Sequence, residues 1–353
     1  MLEDRFAKRL EKISIKIIGK VAKIDELKGE WSLGTSLHPQ ILGRLKKSVL
    51  VTSTGASTRI EGSKLTDEQI EKMLRGISIQ KFSNRDQQEV QGYYELLQNI
   101  FDAWETLSFS ESLIKHFHQE MLKYVEKDKR HLGQYKKGEN KVIMVDEAGQ
   151  SLGTLFETTP PYLTPKYMQE LVDWTKQTLA DSTYHPLLVI GNFIVEFLQI
   201  HPFLDGNGRA SRILTNFLML KCGYLFVPYV SQEKIIEDNK PDYYMALRKS
   251  QKTFGSKKED IAVWMDFFLM VVQKQAFLAK ALLQKDNIEN TLSPKQLLVW
   301  QYLQSVPEAT PSEIAKKTKI VIPTVNQAIR KLVGFNKIET LGYGRATRYR
   351  LKT

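Results

Sequence analysis

Residues 186–212, PLLVIGNFIVEFLQI followed by HPFLDGNGRASR, constrain this chain more than any other stretch. The first fifteen are apolar at most positions and read as a helix that ends at His201-Pro202. Gly206-Asn207-Gly208 then form a tight turn, and a second helix begins near Arg209. Two glycines let backbone N–H groups point into one concavity. That concavity lies at a helix N-terminus, where unsatisfied N–H groups and the helix dipole favour phosphate. Arg209 and Arg212 are three residues apart, share a helix face and reach the same anion. Asp205 is a hard oxygen ligand suited to Mg²⁺ bridging phosphates. His201 is the only side chain in the segment that takes a proton near neutral pH. The set reads as a site for a Mg²⁺-bound nucleotide beside a general base, with an external hydroxyl attacking a phosphate.

The rest of the chain predicts a mostly α protein. Residues 3–28 read as a helix that stops near Gly29, and residues 30–48 as a connection leading to a short helix. VTSTGASTRIEG reads as a polar connection, and Thr66 with Gln69 as a capping box opening a helix that Gly76 stops. Amphipathic patterns follow at 86–107 and 110–126. Residues 142–156 are β-prone on either side of DEAGQ and predict a hairpin, closed by a proline-rich break. Helices resume at 165–180, 186–200, 209–221, 241–251 and 258–284. The organisation is an N-terminal helical region (1–110), a core (111–285) and, after a linker, a C-terminal module (293–353).

One cysteine in 353 residues, Cys222, rules out an internal disulfide framework and a multi-cysteine metal site, and fits a reduced, cytoplasmic setting. Cys222 follows an apolar helix and reads as buried and inert. His116 and His118 are two apart and face apart on a helix, so with His131 they read as structural or surface residues rather than ligands. The most apolar run, 261–272, is short and broken by Asp266, so neither a membrane span nor a membrane partner is expected.

HPFLDGNGRASR resembles the Fic (Fic/DOC) family signature, HPFx[D/E]GNGRxxR, at every specified position. The resemblance implies an all-helical core that transfers AMP from ATP to a Ser, Thr or Tyr hydroxyl of a protein, the enzyme itself included. By position it implies His201 as base, Phe203 as the core anchor of the loop and Asp205 as the Mg²⁺ ligand. Gly206, Asn207 and Gly208 become the phosphate cradle, and Arg209 and Arg212 bind the phosphate tail. STRIEG (57–62) resembles the family's inhibitory motif [S/T]xxxE[G/N], with Ser57, Glu61 and Gly62 in the specified places. A Glu61 carboxylate bidentate to Arg212 would place negative charge where the γ-phosphate must sit. The hairpin corresponds in position to the family's flap, whose strand edge holds a target segment by main-chain pairing. NKPDYYMALRKSQ resembles the region that closes over adenosine, with Tyr243, Tyr244 and Gln251 as contacts that decide between AMP and another transferred group. Two other functions stay open: a deAMPylating or bifunctional enzyme, and a DNA-binding regulator that uses the core as a nucleotide sensor. A homodimer also stays open.

Residues 293–353 resemble a winged helix: three helices, the third from about Pro323 to Val333, then two strands around the wing LGYGRAT. Thr324, Asn326, Gln327 and Arg330 fall on or near the exposed face of that third helix. The module holds 11 Lys and Arg against three Glu, so most of the chain's net charge of +11 belongs to it. An anionic partner such as DNA fits that surplus.

Overall fold

A helix that is apolar on all sides has to be surrounded, and the computed structural model places it so. The structure describes residues 3–11, 13–34, 39–75, 84–145, 151–256, 258–286, 292–342, 344 and 347–352. In chain order its elements begin with α1 (Glu3–Glu11), α2 (Ile15–Gly34), α3 (Pro39–Ile60), α4 (Asp67–Arg75), α5 (Arg85–Ala103) and α6 (Glu111–Leu122). Strands β1 (Lys141–Val145) and β2 (Ser151–Glu157) follow, then α7 (Thr164–Asp181), α8 (Pro186–Ile200), α9 (Asn207–Lys221), α10 (Gln232–Asp238), α11 (Lys240–Gln251) and α12 (Ala262–Asp286). Thirteen of the fifteen residues of α8 are buried, and α1, α7, α9 and α11 pack around it. All these helices up to Lys280 belong to one compact unit.

Four local expectations change. VTSTGASTRI is not a connection but the second half of α3. Ser53 to Thr58 are all buried against neighbouring elements, and the hydroxyls of Ser53, Ser57 and Thr58 are hydrogen-bonded without unwinding the helix, while Thr54 Oγ1 is left unpartnered among the described residues. Thr58 donates to Thr54 O at 2.9 Å and Ser53 to Ser231 Oγ at 2.8 Å. Small residues here let α3 approach α5 and α10 closely. The helix expected over 3–28 is two helices. Phe6 and Arg9 of α1 turn into the core, while α2 runs past Gly29 to bury Leu27 and Trp31. Gly29 has open space around it, so the cost of glycine in a helix, about 1 kcal/mol, is met on the surface. α10 was not expected; Ser231 caps it by accepting from Lys234 N at 3.0 Å. Finally, Ala262–Leu283 of α12 is long and apolar enough by composition to cross a membrane. Trp264, Met265, Leu269 and Val272 of this helix are buried in the protein, and Lys20 pairs with Asp266 at 2.9 Å, as a core helix requires.

The Thr66–Gln69 capping box forms; the Gly76 stop lies outside the described residues. β1 and β2 pair antiparallel from Lys141↔Glu157 to Val145↔Ser151, as the expected hairpin, with its turn outside the described residues. The second compact unit contains α13 (Pro294–Gln304), α14 (Pro311–Thr318), α15 (Ile322–Gly334) and the antiparallel pair β3 (Ile338–Leu341) and β4 (Arg348–Leu351). Val299, Leu303, Ile314, Val325, Ile329 and Leu332 form its core. Gln327 and Arg330 are exposed on α15, whereas Thr324 and Asn326 are half-buried.

Candidate active site

α8 ends at His201, which holds φ +52° and donates its backbone N–H to Phe197 O at 2.9 Å. That left-handed residue turns the chain sharply, and the loop it opens is fastened from within. Asn207 Oδ1 accepts from Phe203 N at 2.9 Å and its Nδ2 donates to Phe203 O at 2.8 Å. The Asn207 side chain therefore braces the loop and is taken up by Phe203 rather than left for a phosphate. Phe203 is fully buried, as expected, and His118 stacks on it with ring centroids 3.8 Å apart. His118 Nδ1 accepts from Gly133 N at 3.0 Å, so its Nε2 carries the proton and donates to Asp205 O, also at 3.0 Å. Burial holds His118 neutral, with its pKa pushed down to about 4. It is a structural pin, in keeping with the reading of the histidines.

The His201 ring is oriented by its own helix. Nδ1 lies 3.1 Å from Leu198 O, so Nδ1 is the protonated nitrogen and Nε2 keeps its lone pair. Burial pushes this imidazole down to about 4, aided by the charge of Lys136; the Leu198 carbonyl, Glu61 and Asp205 pull the other way. The ring is thus neutral at physiological pH.

α9 starts from Gly206 at φ +78°, and no side chain caps its first turn. The expected nest is partly occupied from inside the protein. Gly206 N donates to Asp205 Oδ1 at 2.6 Å. Asp205 Oδ2 accepts from Arg85 at 2.5 Å and Arg209 at 3.2 Å. Burial would raise the Asp205 pKa, but Arg209, the Gly206 amide and Arg85 outweigh it and hold the carboxyl below its ordinary value. Arg209 is buried and also meets Glu89 at 2.6 Å. Nothing in the sequence flagged Arg85 or Glu89, which lie more than a hundred residues upstream.

Arg212 is buried too, and the end of α3 comes to it. Nη2 donates to Glu61 Oε1 at 2.8 Å and to Ser57 O at 2.9 Å, and Nε donates to Ser57 Oγ at 2.8 Å. The expected two-point fork with Glu61 is a single contact through Nη2, which Ser57 O shares, while Ser57 Oγ takes Nε. Nη1 is buried without a hydrogen-bond partner. Burial opposes the charge on Arg212, yet Glu61 beside it holds the guanidinium above its ordinary value. Gly208 is what lets Glu61 in: a Cβ there would lie 2.2 Å from Glu61 Oε1. Gly62 takes φ +106° directly after it.

Tyr243 lines a cavity with Ser211, Arg212 and Trp264, and Tyr244 meets it ring edge to face at 5.2 Å. Gln251 is buried elsewhere, with its amide donating to Val195 O at 3.4 Å. Cys222 is half-buried, and burial pushes its thiol up to about 11, so it is inert. Among the described residues no cluster of three metal-ligating side chains occurs. Asp205, beside the expected phosphate cradle, is the hard-oxygen ligand type that suits Mg²⁺, which keeps waters and takes phosphate oxygens as further ligands.

Residues 108–219 match the Fic/DOC family. A probable protein adenylyltransferase of Aquifex aeolicus is 32% identical over 100 residues, 28% of each chain. Protein adenylyltransferase Fic of Drosophila melanogaster is 40% identical over 57 residues, 16% of this chain and 11% of that protein. The chain thus aligns with about a quarter of the first relative and a tenth of the second. In architecture, a Fic family protein of Desulfovibrio desulfuricans G20 matches 97% of both chains at TM-score 0.65 and 23% identity. Fic-1 of C. elegans matches 76% of this chain and 73% of its own at TM-score 0.60 and 19% identity. These likenesses establish the fold.

Proposed function

From the premise that residues 108–219 are a Fic/DOC family domain, we propose that the chain is a protein adenylyltransferase held in check by Glu61. His201 Nε2 takes the proton of a Ser, Thr or Tyr hydroxyl on a protein. The freed oxygen attacks the α-phosphorus of ATP, the bond to the bridging β-phosphate oxygen breaks, and pyrophosphate leaves. Arg209, Arg212 and the first-turn N–H groups of α9 hold the phosphates and take up charge developed in the transition state. Asp205 would hold Mg²⁺, which neutralises phosphate charge when bound. Arg85 and Arg209 must then give up Asp205 Oδ2. One observation carries the reading: a neutral imidazole, its Nδ1 held by Leu198 O, opens the loop that leads to a helix N-terminus with no side-chain cap and two buried arginines. The buried, unpartnered Nη1 of Arg212 marks room for an acceptor such as a phosphate oxygen.

Glu61 supports the inhibitory part. Its carboxylate occupies Arg212 in the resting protein, and anionic phosphate must compete with it. The test is the intact mass of full-length wild type, Glu61→Gly and Glu61→Gly/His201→Ala after incubation with Mg²⁺ and ATP. Added AMP (+329 Da, roughly, one adenylyl group per site) is expected only on Glu61→Gly. Equal labelling with and without His201 would overturn the mechanism. Loss of AMP release from a modified protein in Glu61→Gly would favour the reverse reaction instead. The C-terminal unit we read as a winged helix, on its three helices and terminal strand pair, and its basic surplus favours an anionic partner. Steeply salt-dependent binding of duplex DNA by the full chain tests it.

A further inference from the structure

The sequence singles out nothing at Lys136, yet it is the most unusual cation in the core. It is 4% exposed and meets Asn140 Oδ1 at 2.7 Å, Thr158 Oγ1 at 2.9 Å and Ile200 O at 3.0 Å. None of these acceptors is a carboxylate. Burial pushes its pKa down to about 8, the mark of an ammonium held at a cost. Ile200 is the last residue of α8, so the cation sits at the negative end of that helix and satisfies a carbonyl the helix leaves over. The backbone N–H of Lys136 donates to Pro202 O at 2.8 Å.

The acceptors are placed at both roots of the hairpin. Asn140 immediately precedes β1 and Thr158 immediately follows β2. Asn140 Nδ2 donates to Phe203 O at 2.8 Å and to His201 O at 3.4 Å. The Thr158 hydroxyl donates to Asn140, with the carbonyl at 2.8 Å and the side-chain oxygen at 2.6 Å in reach. Four consecutive carbonyls, 200 to 203, are thereby tied to the two ends of one hairpin, and the residue in their midst is His201. Core packing alone would call for an apolar residue here, because an ammonium without a counter-ion is expensive to bury. A network fixed at four backbone points defines direction as well as distance.

We propose that Lys136, Asn140 and Thr158 form a positioning clamp that sets the β1–β2 hairpin over His201, and so aligns a target segment paired along the hairpin with the base. This deepens the adenylyltransferase reading and rests on it. The clamp acts on the protein substrate. Nucleotide binding, which uses α9 and Arg212, does not depend on it.

The experiment uses the full chain with Glu61→Gly as reference, adding Lys136→Met, Lys136→Arg or Thr158→Val. Three quantities are read: self-modification rate with Mg²⁺ and ATP, MgATP affinity by calorimetry, and hydrogen exchange of the 141–145 and 151–157 amides. Misplacement of a reacting group by about 1 Å costs on the order of 100-fold in rate. Lys136→Met is expected to slow transfer by about that factor, with MgATP affinity unchanged within about twofold. Lys136→Arg restores part of the rate, and Thr158→Val, which preserves shape and removes one donor, loses about tenfold. Both Lys136→Met and Thr158→Val speed exchange in the hairpin. Unchanged transfer in both variants, or MgATP affinity falling in step with rate, overturns the clamp. If Glu61→Gly itself transfers nothing, the adenylyltransferase reading fails, and hairpin exchange decides the clamp alone: unchanged protection in both variants refutes it.

Discussion

Removing Glu61 is expected to move stability in opposite directions depending on whether ATP is present. In the resting protein Arg212 is 2% exposed and has Glu61 as its only carboxylate contact among the described residues. A hydrogen bond to a charged group is worth about 1.5–3 kcal/mol. The Glu61 side chain is 32% exposed, which places its contribution toward the lower end, about 1–2 kcal/mol. Ser57 still holds two of the guanidinium positions, so the fold survives. In a domain of this size, 1 kcal/mol corresponds to about 2–4 °C, so Glu61→Gly should melt roughly 2–8 °C lower without ATP. With ATP the sign reverses. A carboxylate about 5 Å from a phosphate charge costs about 3 kcal/mol at an effective dielectric constant of 20, or about 100-fold in affinity. At a concentration 100 times the new Kd, ATP adds about 2.7 kcal/mol. The assay is thermal unfolding across an ATP titration with Mg²⁺, with Glu61→Gln as the control that keeps an acceptor without charge. The wild-type and Glu61→Gly curves should cross, with Glu61→Gln between them. Parallel curves, or a variant as stable as wild type without ATP, would refute the reasoning.

Three further outcomes follow from the same geometry. Gly208→Ala should cost as much as losing the Glu61 contact in wild type and almost nothing in Glu61→Gly, read as a double-mutant cycle of urea midpoints, because the new Cβ collides only with Glu61. Arg9→Met should cost about 1.5–3 kcal/mol in urea, since it removes the buried partner of Glu196 at 2.8 Å and leaves the partly exposed Arg5 as its remaining ion pair; Glu196→Gln in the same chain should return part of the loss. His118 has a native pKa of about 4 against an ordinary 6.5, so the unfolded chain binds more protons between those values. Stability therefore falls as pH drops through that window, by up to about 1.4 kcal/mol per pH unit, and His118→Gln should flatten the decline while lowering stability at pH 7.

The pattern of helices was legible because burial imposes it: α8 was bounded correctly from its apolar run alone, and its neighbours followed from three-to-four spacing. The misreading of α3 has a clear cause. Ser53-Thr54-Gly55-Ala56-Ser57-Thr58 looks like a loop by composition, since small polar residues favour turns in isolation. In the fold their smallness is what counts. It lets α3 lie against α5 and α10, and the long-range partners Ser231 and Arg212 take up the hydroxyls of Ser53 and Ser57. Propensity is local, and the partners that override it are not.

The same division runs through the site. His201, Asp205, Gly208, Arg209 and Arg212 lie within twelve residues of chain, so one turn and one helix face were enough to bring them together on paper. The residues that set their state come from elsewhere: Arg85 and Glu89 from α5, His118 from α6, Lys136 and Asn140 from before the hairpin. Each of them alters what the loop can do. A free loop with two arginines would take any phosphate. Here Arg212 already holds Glu61, Arg209 holds Glu89 and Asp205, and Asp205 also holds Arg85. In the proposed function an incoming nucleotide would exchange ion pairs as well as take the unpartnered Nη1 of Arg212. Exchange makes affinity depend on the acids as much as on the arginines. In the proposed function, that is how a single carboxylate at the end of α3 would govern a site whose chemistry lies in the loop between α8 and α9 and in the first turns of α9.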